Sequence, residues 1–154
     1  MSPAPRTPPR RPRKAGGAVE GFRRVRAAHA TELAEDYTEA IADLIEQRGE
    51  ARVGELARAM GVSHVTVVRT IARLHRDKLV EAQPHREVLL TAAGRALARA
   101  SKHRHRVVVA FLAALGVSPR VAERDAEGIE HHVSDETLRA MERFAASQAP
   151  EVRR

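Results

Sequence analysis

Hydrophobic residues recur at intervals of three and four over most of the chain, which is the pattern of amphipathic helices. The helical pattern begins near Glu20, and one apolar face is formed by Leu33, Tyr37, Ile41, Leu44 and Ile45. Gly49 is placed to end this helix, because glycine adopts the left-handed conformation at a helix C-terminus without steric penalty. The pattern therefore predicts a long first helix that ends just before Gly49.

Two shorter helices and a hairpin are predicted next. Apolar residues at 53, 56, 57 and 60 predict a short helix, which is closed by a Gly61-Val62 turn. Ser63 is a favoured N-cap residue and predicts a further helix over about 64–76, with Val67, Val68, Ile71 and Leu74 facing inward. Residues 79–91 predict two short strands around a turn near 84–86. This order of elements is typical of a winged helix-turn-helix, in which the helix at 64–76 reads DNA.

The last part of the chain is predicted to be entirely helical. Thr91 can cap a long helix through about Leu115, and Ser118-Pro119 can open another that runs to about His132. Ser134 is followed by two acidic residues and opens the last helix. The predicted fold class is mostly α. A basic arm at 1–18, expected to be disordered, precedes a winged helix-turn-helix DNA-binding domain at 19–100 and an all-helical dimerisation domain at 101–154.

Charge is distributed unevenly over the 154 residues, whose net charge is +7. The Pro- and Arg-rich arm can hold DNA phosphates or serve only as a solubilising tail. Residues 31–51 hold seven acids and one base, whereas residues 52–106 hold twelve bases and four acids. The basic middle suits a polyanion, and the acidic flanks suit a cation.

The DNA-contacting side chains are expected on the outer face of the second helix of the pair and on the hairpin tip. Residues near the start of that helix can reach base edges, and arginines further along more often meet phosphates. The alternative interpretation is a helical hairpin with ordinary solvated arginines. The candidates are Ser63, His64, Thr66, Arg69, Thr70, Arg73 and, at the hairpin tip, Arg86.

Several classes of protein are excluded by composition. The sequence contains no apolar run of 18 or more residues, so we expect no membrane span. The N-terminus lacks the apolar region of a signal peptide, and cysteine is absent, which excludes disulfides and thiolate metal sites. A cytoplasmic location is therefore expected.

Two groups of carboxylate and imidazole residues are candidates for metal binding. Asp36 and Glu39 lie three residues apart on one side of the first helix, and Glu127, Glu130 and His131 share one face of a later helix. Carboxylates with imidazole and no thiolate suit Mn²⁺ or Fe²⁺. Each group taken alone is more often a solvated helix face, and the His-Arg-His-Arg segment at 103–106 is compatible with a plain basic surface.

Residues 31–147 resemble the manganese transport regulators of the diphtheria toxin repressor family. The resemblance is carried by ELARAMGVSHVTVVRTIARL, FLAALGVSP and above all DAEGIEHHVSDETL. It implies a homodimeric repressor that binds operator DNA and controls manganese transport genes, with two Mn²⁺ ions per subunit. His103 is the alternative if the alignment of His105 slips. The ligands that the resemblance implies are Asp36, Glu39, His105, Glu127, Glu130 and His131.

The resemblance also bears on the choice of metal. Iron-selective relatives carry sulfur ligands where this chain has Asp36 and Glu127, so Mn²⁺ is favoured and Fe²⁺ remains the alternative. Two other hypotheses are a winged-helix regulator that needs no metal and a small enzyme with a two-metal site. We expect no enzymatic activity, because the candidate site is joined to a DNA-reading segment.

Overall fold

The computed structural model describes residues 16–82 and 87–148, except for the side chains of 16–19, 21, 22 and 24. Among these residues the helices are α1 (Gly16–Arg48), α2 (Val53–Met60), α3 (His64–Arg76), α4 (Ala92–Ala114), α5 (Pro119–Ile129) and α6 (Asp135–Gln148). The strands are β1 (Val80–Ala82) and β2 (Val88–Leu90). The predicted fold class, mostly helical with a winged helix-turn-helix followed by helices, is confirmed.

The chain divides into two compact units, residues 1–31 and 32–154. In the first unit α1 begins at Gly16, so residues 16–18 are helical although the sequence predicted them to belong to the disordered arm. Helix propagation is cooperative, and nothing in the sequence stops α1 at residue 19. The described side chains at 23 and 25–29 are exposed. Residues 1–15, the rest of the predicted arm, lie outside the described residues.

In the second unit, one apolar core joins α1, α2, α3 and the hairpin. Tyr37 and Ile41 of α1 are buried beside Leu56 of α2, and so are Val67 and Leu74 of α3. This is the predicted apolar face of α1, and it packs against the predicted inner face of α3. The core therefore fixes the position of α3 relative to α1.

The hairpin is antiparallel, with Val80 opposite Leu90, and it is anchored at its base. The backbone N–H of Val88 donates to the carbonyl of Ala51 at 2.8 Å, which ties β2 to the link between α1 and α2. Both strands lie within residues 79–91, where the sequence predicted them. The turn at 83–86, which carries the candidate Arg86, lies outside the described residues.

A Thr-x-x-Gly motif docks the start of α4 on the end of the DNA-binding region. The Thr91 hydroxyl caps α4 by accepting from the N–H of Gly94 at 3.1 Å, and it donates to the Lys78 carbonyl at 2.8 Å. Gly94 itself is so close to Leu79 that an added Cβ would lie 2.0 Å from the Leu79 carbonyl oxygen. Only glycine permits this approach, so the motif sets the angle at which α4 leaves the winged helix-turn-helix.

The C-terminal helices pack on α4. Ala122 and Ala126 of α5 are buried, as is Val108 of α4, and the rings of Phe111 and Phe144 meet edge-to-face with centroids 5.5 Å apart. α5 ends at Ile129, three residues before the predicted end, because the N–H of His132 turns back to the carbonyl of Ile129 at 3.0 Å. None of the helices in the described part of the chain combines the length and apolarity needed to cross a bilayer.

Candidate metal centre and DNA-binding surface

Side chains from three helices meet between α1, α4 and α5. Asp36 lies on α1, His105 lies on α4, and Glu130 and His131 follow directly after α5. The side chains of Glu130 and His131 are both 4% exposed, although they are polar and lie far from Asp36 in the sequence. The fold therefore gathers four of the six predicted ligands into one partly buried cluster, which we call the carboxylate–imidazole cluster.

His105 lies between carboxylates on both sides of its ring. Its Nδ1 is 2.6 Å from Oε2 of Glu130, and its Nε2 is 2.9 Å from Oε2 of Glu123. Glu127 lies further away, with Oε1 at 3.8 Å from Nδ1, and its side chain is 72% exposed. His103, the alternative to His105, is exposed and lines a groove between α4 and α6 with Glu142. The geometry thus favours His105 over His103 as a partner of the α5 carboxylates.

His131 has carboxylates at both of its ring nitrogens as well. Nδ1 is 2.7 Å from Oε2 of Glu35, and Nε2 is 3.3 Å from Oδ1 of Asp36 and 3.8 Å from Oε1 of Glu130. Because Asp36 belongs to α1 and His131 follows α5, this contact joins the DNA-binding region to the C-terminal helices. His131 is therefore the centre of the connection between the two regions.

The electrostatics of the cluster reflect burial and crowding of like charges. Burial raises the pKa of Asp36, and the carboxylates of Glu32, Glu127 and Glu35 raise it further against the opposing charge of His131. Burial likewise raises the pKa of Glu130, although its hydrogen bond with His105 opposes the shift. The cluster therefore contains carboxylates that lack sufficient positive charge around them.

The two imidazoles show the complementary effect. Burial lowers the pKa of each, but the surrounding carboxylates outweigh it and the pKa is raised overall. For His105 the opposing hydrogen bonds come from Glu123 and Glu130, and for His131 the strongest comes from Glu35. Protons on the imidazoles partly supply the positive charge that the carboxylates lack.

Glu39 stands apart from the other predicted ligands. In the described part of the chain it makes no hydrogen bond or ion pair with Asp36, His105, Glu127, Glu130 or His131. Its charge acts instead on the Lys102 ammonium, whose pKa is raised chiefly by a hydrogen bond to Asp43. Glu39 lies one helical turn beyond Asp36 on the same side of α1, so it faces α4 near the cluster without touching it.

Three residues that contact the carboxylate–imidazole cluster were missed by the sequence analysis: Glu35, Arg104 and Glu123. Glu35 is buried, lies 2.7 Å from Nδ1 of His131, and forms an ion pair with Arg104 of α4. One signal was available, because Glu35 shares the buried side of α1 with Thr38 and the apolar residues at 34, 37 and 41. A carboxylate on the buried side of a helix requires a partner, and that requirement identifies it as a candidate.

The residues of the cluster fit a hard or borderline divalent cation. The donors are carboxylate oxygens and imidazole nitrogens, the ligands that Mn²⁺ and Fe²⁺ accept. In the described part of the chain no three His, Asp or Glu side chains are already arranged around a common point, because they pair with one another. The separations of 3.3 and 3.8 Å from His131 Nε2 to Asp36 and Glu130 are close to the ~3 Å between neighbouring ligands of an octahedral ion.

The helix-turn-helix is formed as the sequence predicted. Gly61 has φ +66°, the left-handed conformation that the tight turn requires. Ser63 caps α3, its Oγ accepting from the N–H of Thr66 at 3.1 Å and bonding the Thr66 hydroxyl at 2.8 Å. His64 and Arg69 are exposed on the outer side of α3, and Arg73 is half-buried and engaged in a further contact.

Two predictions about the faces of α3 were wrong. Thr70 was predicted on the outer face, but it is buried at 7% exposure on the inner side of α3. Val68 was predicted to face inward, but it is 46% exposed. Val65, one turn earlier on α3, is also exposed, at 58%. The 3.6-residue repeat places Thr70 beside the inward Val67, Ile71 and Leu74, and this outweighs the polarity of a single hydroxyl.

The fold and the cluster define a DNA-binding winged helix joined to a helical metal-binding region. Two family profiles match these parts: the iron-dependent repressor N-terminal DNA-binding domain over residues 29–88, and its metal-binding and dimerisation domain over residues 91–148. The chain belongs to this family of iron-dependent repressors, and the resemblance to the diphtheria toxin repressor family is confirmed.

Curated relatives are similar over most of the chain. The transcriptional regulator MntR of Escherichia coli O6:H1 is 54% identical over 126 residues, covering 82% of this chain and 81% of the relative. The HTH-type transcriptional regulator MntR of Bacillus subtilis strain 168 is 36% identical over 100 residues, covering 65% of this chain and 70% of the relative.

Solved structures share the fold. A manganese-dependent transcriptional repressor in complex with manganese matches with a TM-score of 0.66 at 32% identity over 73% of this chain. The manganese regulator SloR matches with a TM-score of 0.65 at 28% identity over 73% of this chain. The chain spans about half the length of these solved chains, 52% and 53% respectively.

Proposed function

We propose that the protein is a manganese-responsive transcriptional repressor that binds operator DNA as a homodimer. The observation that carries the proposal is the contact between Asp36 of α1 and His131 beside α5, because it places candidate ligands at the junction of the two regions. The names of the relatives, MntR and a manganese-dependent repressor, support Mn²⁺ as the metal. The absence of cysteine from the whole sequence agrees with that choice.

We assign metal binding to the six predicted residues, with two Mn²⁺ ions per subunit. His131 and Glu130 form the buried part of the site, and Asp36, Glu127 and His105 flank it. Glu39 makes no hydrogen bond or ion pair with the other five among the described residues, so it would join them through a change of side-chain conformation. The ligand set comprises Asp36, Glu39, His105, Glu127, Glu130 and His131.

The chain's own residues explain how metal could control DNA binding. Without metal, the carboxylate of Glu127 repels those of Asp36 and Glu130 at the junction. A divalent cation, when bound, supplies the positive charge that this junction lacks. Asp36 is followed in α1 by Tyr37 and Ile41, which share a core with α3, so fixing Asp36 to the α5 end also fixes the recognition helix.

Fixing the recognition helix matters because a dimer must place two of them on two operator half-sites. Metal and DNA then strengthen each other's binding by thermodynamic linkage. Contacts to DNA are assigned to the exposed residues of α3 and to the hairpin tip. The candidates retained are His64, Arg69, Arg73 and Arg86, with Ser63 and Thr66 holding the start of α3.

The test is a DNA-binding titration with Mn²⁺, Fe²⁺ and Zn²⁺, using DNA from upstream of the protein's own gene and of manganese transport genes. We expect Mn²⁺ to raise the affinity of the wild type and to have little effect on Glu130→Ala. Glu136→Gln, which removes an exposed carboxylate from α6, should respond to Mn²⁺ like the wild type. Binding that needs no metal would overturn the proposal, and a response to Fe²⁺ alone would replace manganese with iron.

A further inference from the structure

A buried carboxylate outside the predicted ligand set, that of Glu35, contacts two residues at the carboxylate–imidazole cluster. The side chain of Glu35 is 5% exposed and lies on α1 next to Asp36. One of its oxygens pairs with Nη2 of Arg104, and the other lies 2.7 Å from Nδ1 of His131. Glu35 thus contacts α4 and the end of α5 from its position on α1.

We propose that Glu35 is a positioning residue that orients His131 for metal binding. The inference rests on the proposed function, because it assigns His131 to the metal. A neutral imidazole carries one proton, and only the other nitrogen can coordinate a metal ion. A carboxylate that accepts from one nitrogen therefore determines which nitrogen is available.

The geometry determines where that proton lies. Glu35 is 2.7 Å from Nδ1 and almost completely buried, whereas Asp36 is 3.3 Å from Nε2 and its side chain is 38% exposed. The shorter and more buried contact is the stronger hydrogen bond, so the proton lies on Nδ1. Nε2 then carries the free lone pair that can coordinate a metal ion, and it is the nitrogen nearest to Asp36 and Glu130.

Arg104 holds the Glu35 carboxylate in place through an ion pair. The side chain of Arg104 is 22% exposed, and its Nη2 pairs with Oε1 of Glu35. A buried carboxylate with one guanidinium and one imidazole donor is held in a single orientation. Glu35 therefore fixes the orientation of the His131 ring relative to α1 and α4.

The first test is the tautomer of His131 in the metal-free protein, measured by nitrogen-15 NMR at a pH where the ring is neutral. In the wild type we expect the proton on Nδ1. In Glu35→Gln the amide can donate to Nδ1, so we expect the proton to move to Nε2. A wild-type ring with its proton on Nε2, or no change in the variant, would overturn the proposal even before metal is added.

The second test is Mn²⁺ affinity, measured with Mn²⁺ alone by the electron paramagnetic resonance signal of the free ion. We expect Glu35→Gln to weaken binding by about 10- to 100-fold, the usual effect of losing an outer-shell partner. Glu46→Gln is the matched control, because it removes the same charge from an exposed position on the same helix, and we expect an unchanged affinity.

The two tests separate this inference from the proposed function. If the wild type does not bind Mn²⁺, the proposed function fails. A proton on Nδ1 would then show only that Glu35 and His131 form a structural hydrogen bond. If the wild type binds Mn²⁺ and Glu35→Gln binds equally well, the inference alone is overturned. Should Glu35→Gln fail to fold, the wild-type tautomer and the Arg104→Met variant provide the test. We expect Arg104→Met to keep the proton on Nδ1 of His131 and to bind Mn²⁺ more weakly than the wild type.

Discussion

At the scale of single residues, neighbours in the sequence have opposite roles when they lie on opposite faces of a helix. Asp36 is half-buried in the cluster, whereas Tyr37 beside it is 1% exposed and belongs to the core. Arg69 and Thr70 form a similar pair on α3, the first exposed and the second buried at 7%. Residue type alone does not reveal this division, but the helical position does.

The pair on α3 gives a direct prediction. Arg69→Ala should weaken operator binding by about 1–3 kcal/mol, because it removes a cationic side chain from the outer face, and it should leave the melting temperature unchanged. Thr70→Ala should lower the free energy of unfolding by about 1 kcal/mol and leave the DNA affinity of the folded protein unchanged. Fluorescence anisotropy with labelled DNA and thermal melts measure both. The reverse pattern would mean that the assignment of the α3 faces is wrong.

The sequence was sufficient to predict part of the site at this scale. Glu130 and His131 could be identified because they lie in one short motif, and the structure places both in the cluster. Glu35 could not be identified as a partner of His131, because 96 residues separate them and only the fold brings them together. Thr70 was misassigned because polarity was given more weight than periodicity.

At the scale of elements, the Thr-x-x-Gly motif sets the direction of α4. α4 carries Arg104 and His105 into the cluster, so the close approach of Gly94 to Leu79 determines where those side chains lie. The sequence predicted the cap at Thr91 but not the reason for Gly94, since the close contact is with a residue that precedes the hairpin.

Gly94→Ala tests this contact. The added Cβ would lie 2.0 Å from the carbonyl oxygen of Leu79, a backbone atom that cannot move aside cheaply. We expect the free energy of unfolding to fall by about 1–3 kcal/mol or more. Gly54→Ala is the matched control, because Gly54 is also helical and an added Cβ would meet nothing within 4 Å. We expect that control to gain about 0.5–1 kcal/mol, and equal effects at both positions would contradict the role assigned to Gly94.

At the scale of the whole molecule, the pKa is raised for four groups from three parts of the chain. The folded protein raises the pKa of Asp36, Glu130, His105 and His131 above their ordinary values. It therefore holds protons more tightly than the unfolded chain, and a protein of this kind gains stability as the pH falls. For the histidines the gain is complete below the ordinary value of 6.5 and is lost as the pH rises through the raised pKa.

The expected outcome is that the melting temperature of the metal-free protein rises as the pH is lowered from about 8 to about 6. Metal ligands must be deprotonated, so with saturating Mn²⁺ the stabilisation by metal should be larger at the higher pH. Calorimetry with and without Mn²⁺ measures both trends. A metal-free protein that becomes less stable over this range as the pH falls would contradict the assignment of these pKa shifts.

The central claim is that metal and DNA bind to the same arrangement of α1, α3 and the end of α5. The most direct measurement is the Mn²⁺ dissociation constant with and without saturating operator DNA. Linkage predicts that DNA tightens Mn²⁺ binding by the same factor by which Mn²⁺ tightens DNA binding, typically about 5- to 150-fold. Equal Mn²⁺ affinity in the presence and absence of DNA would contradict the claim.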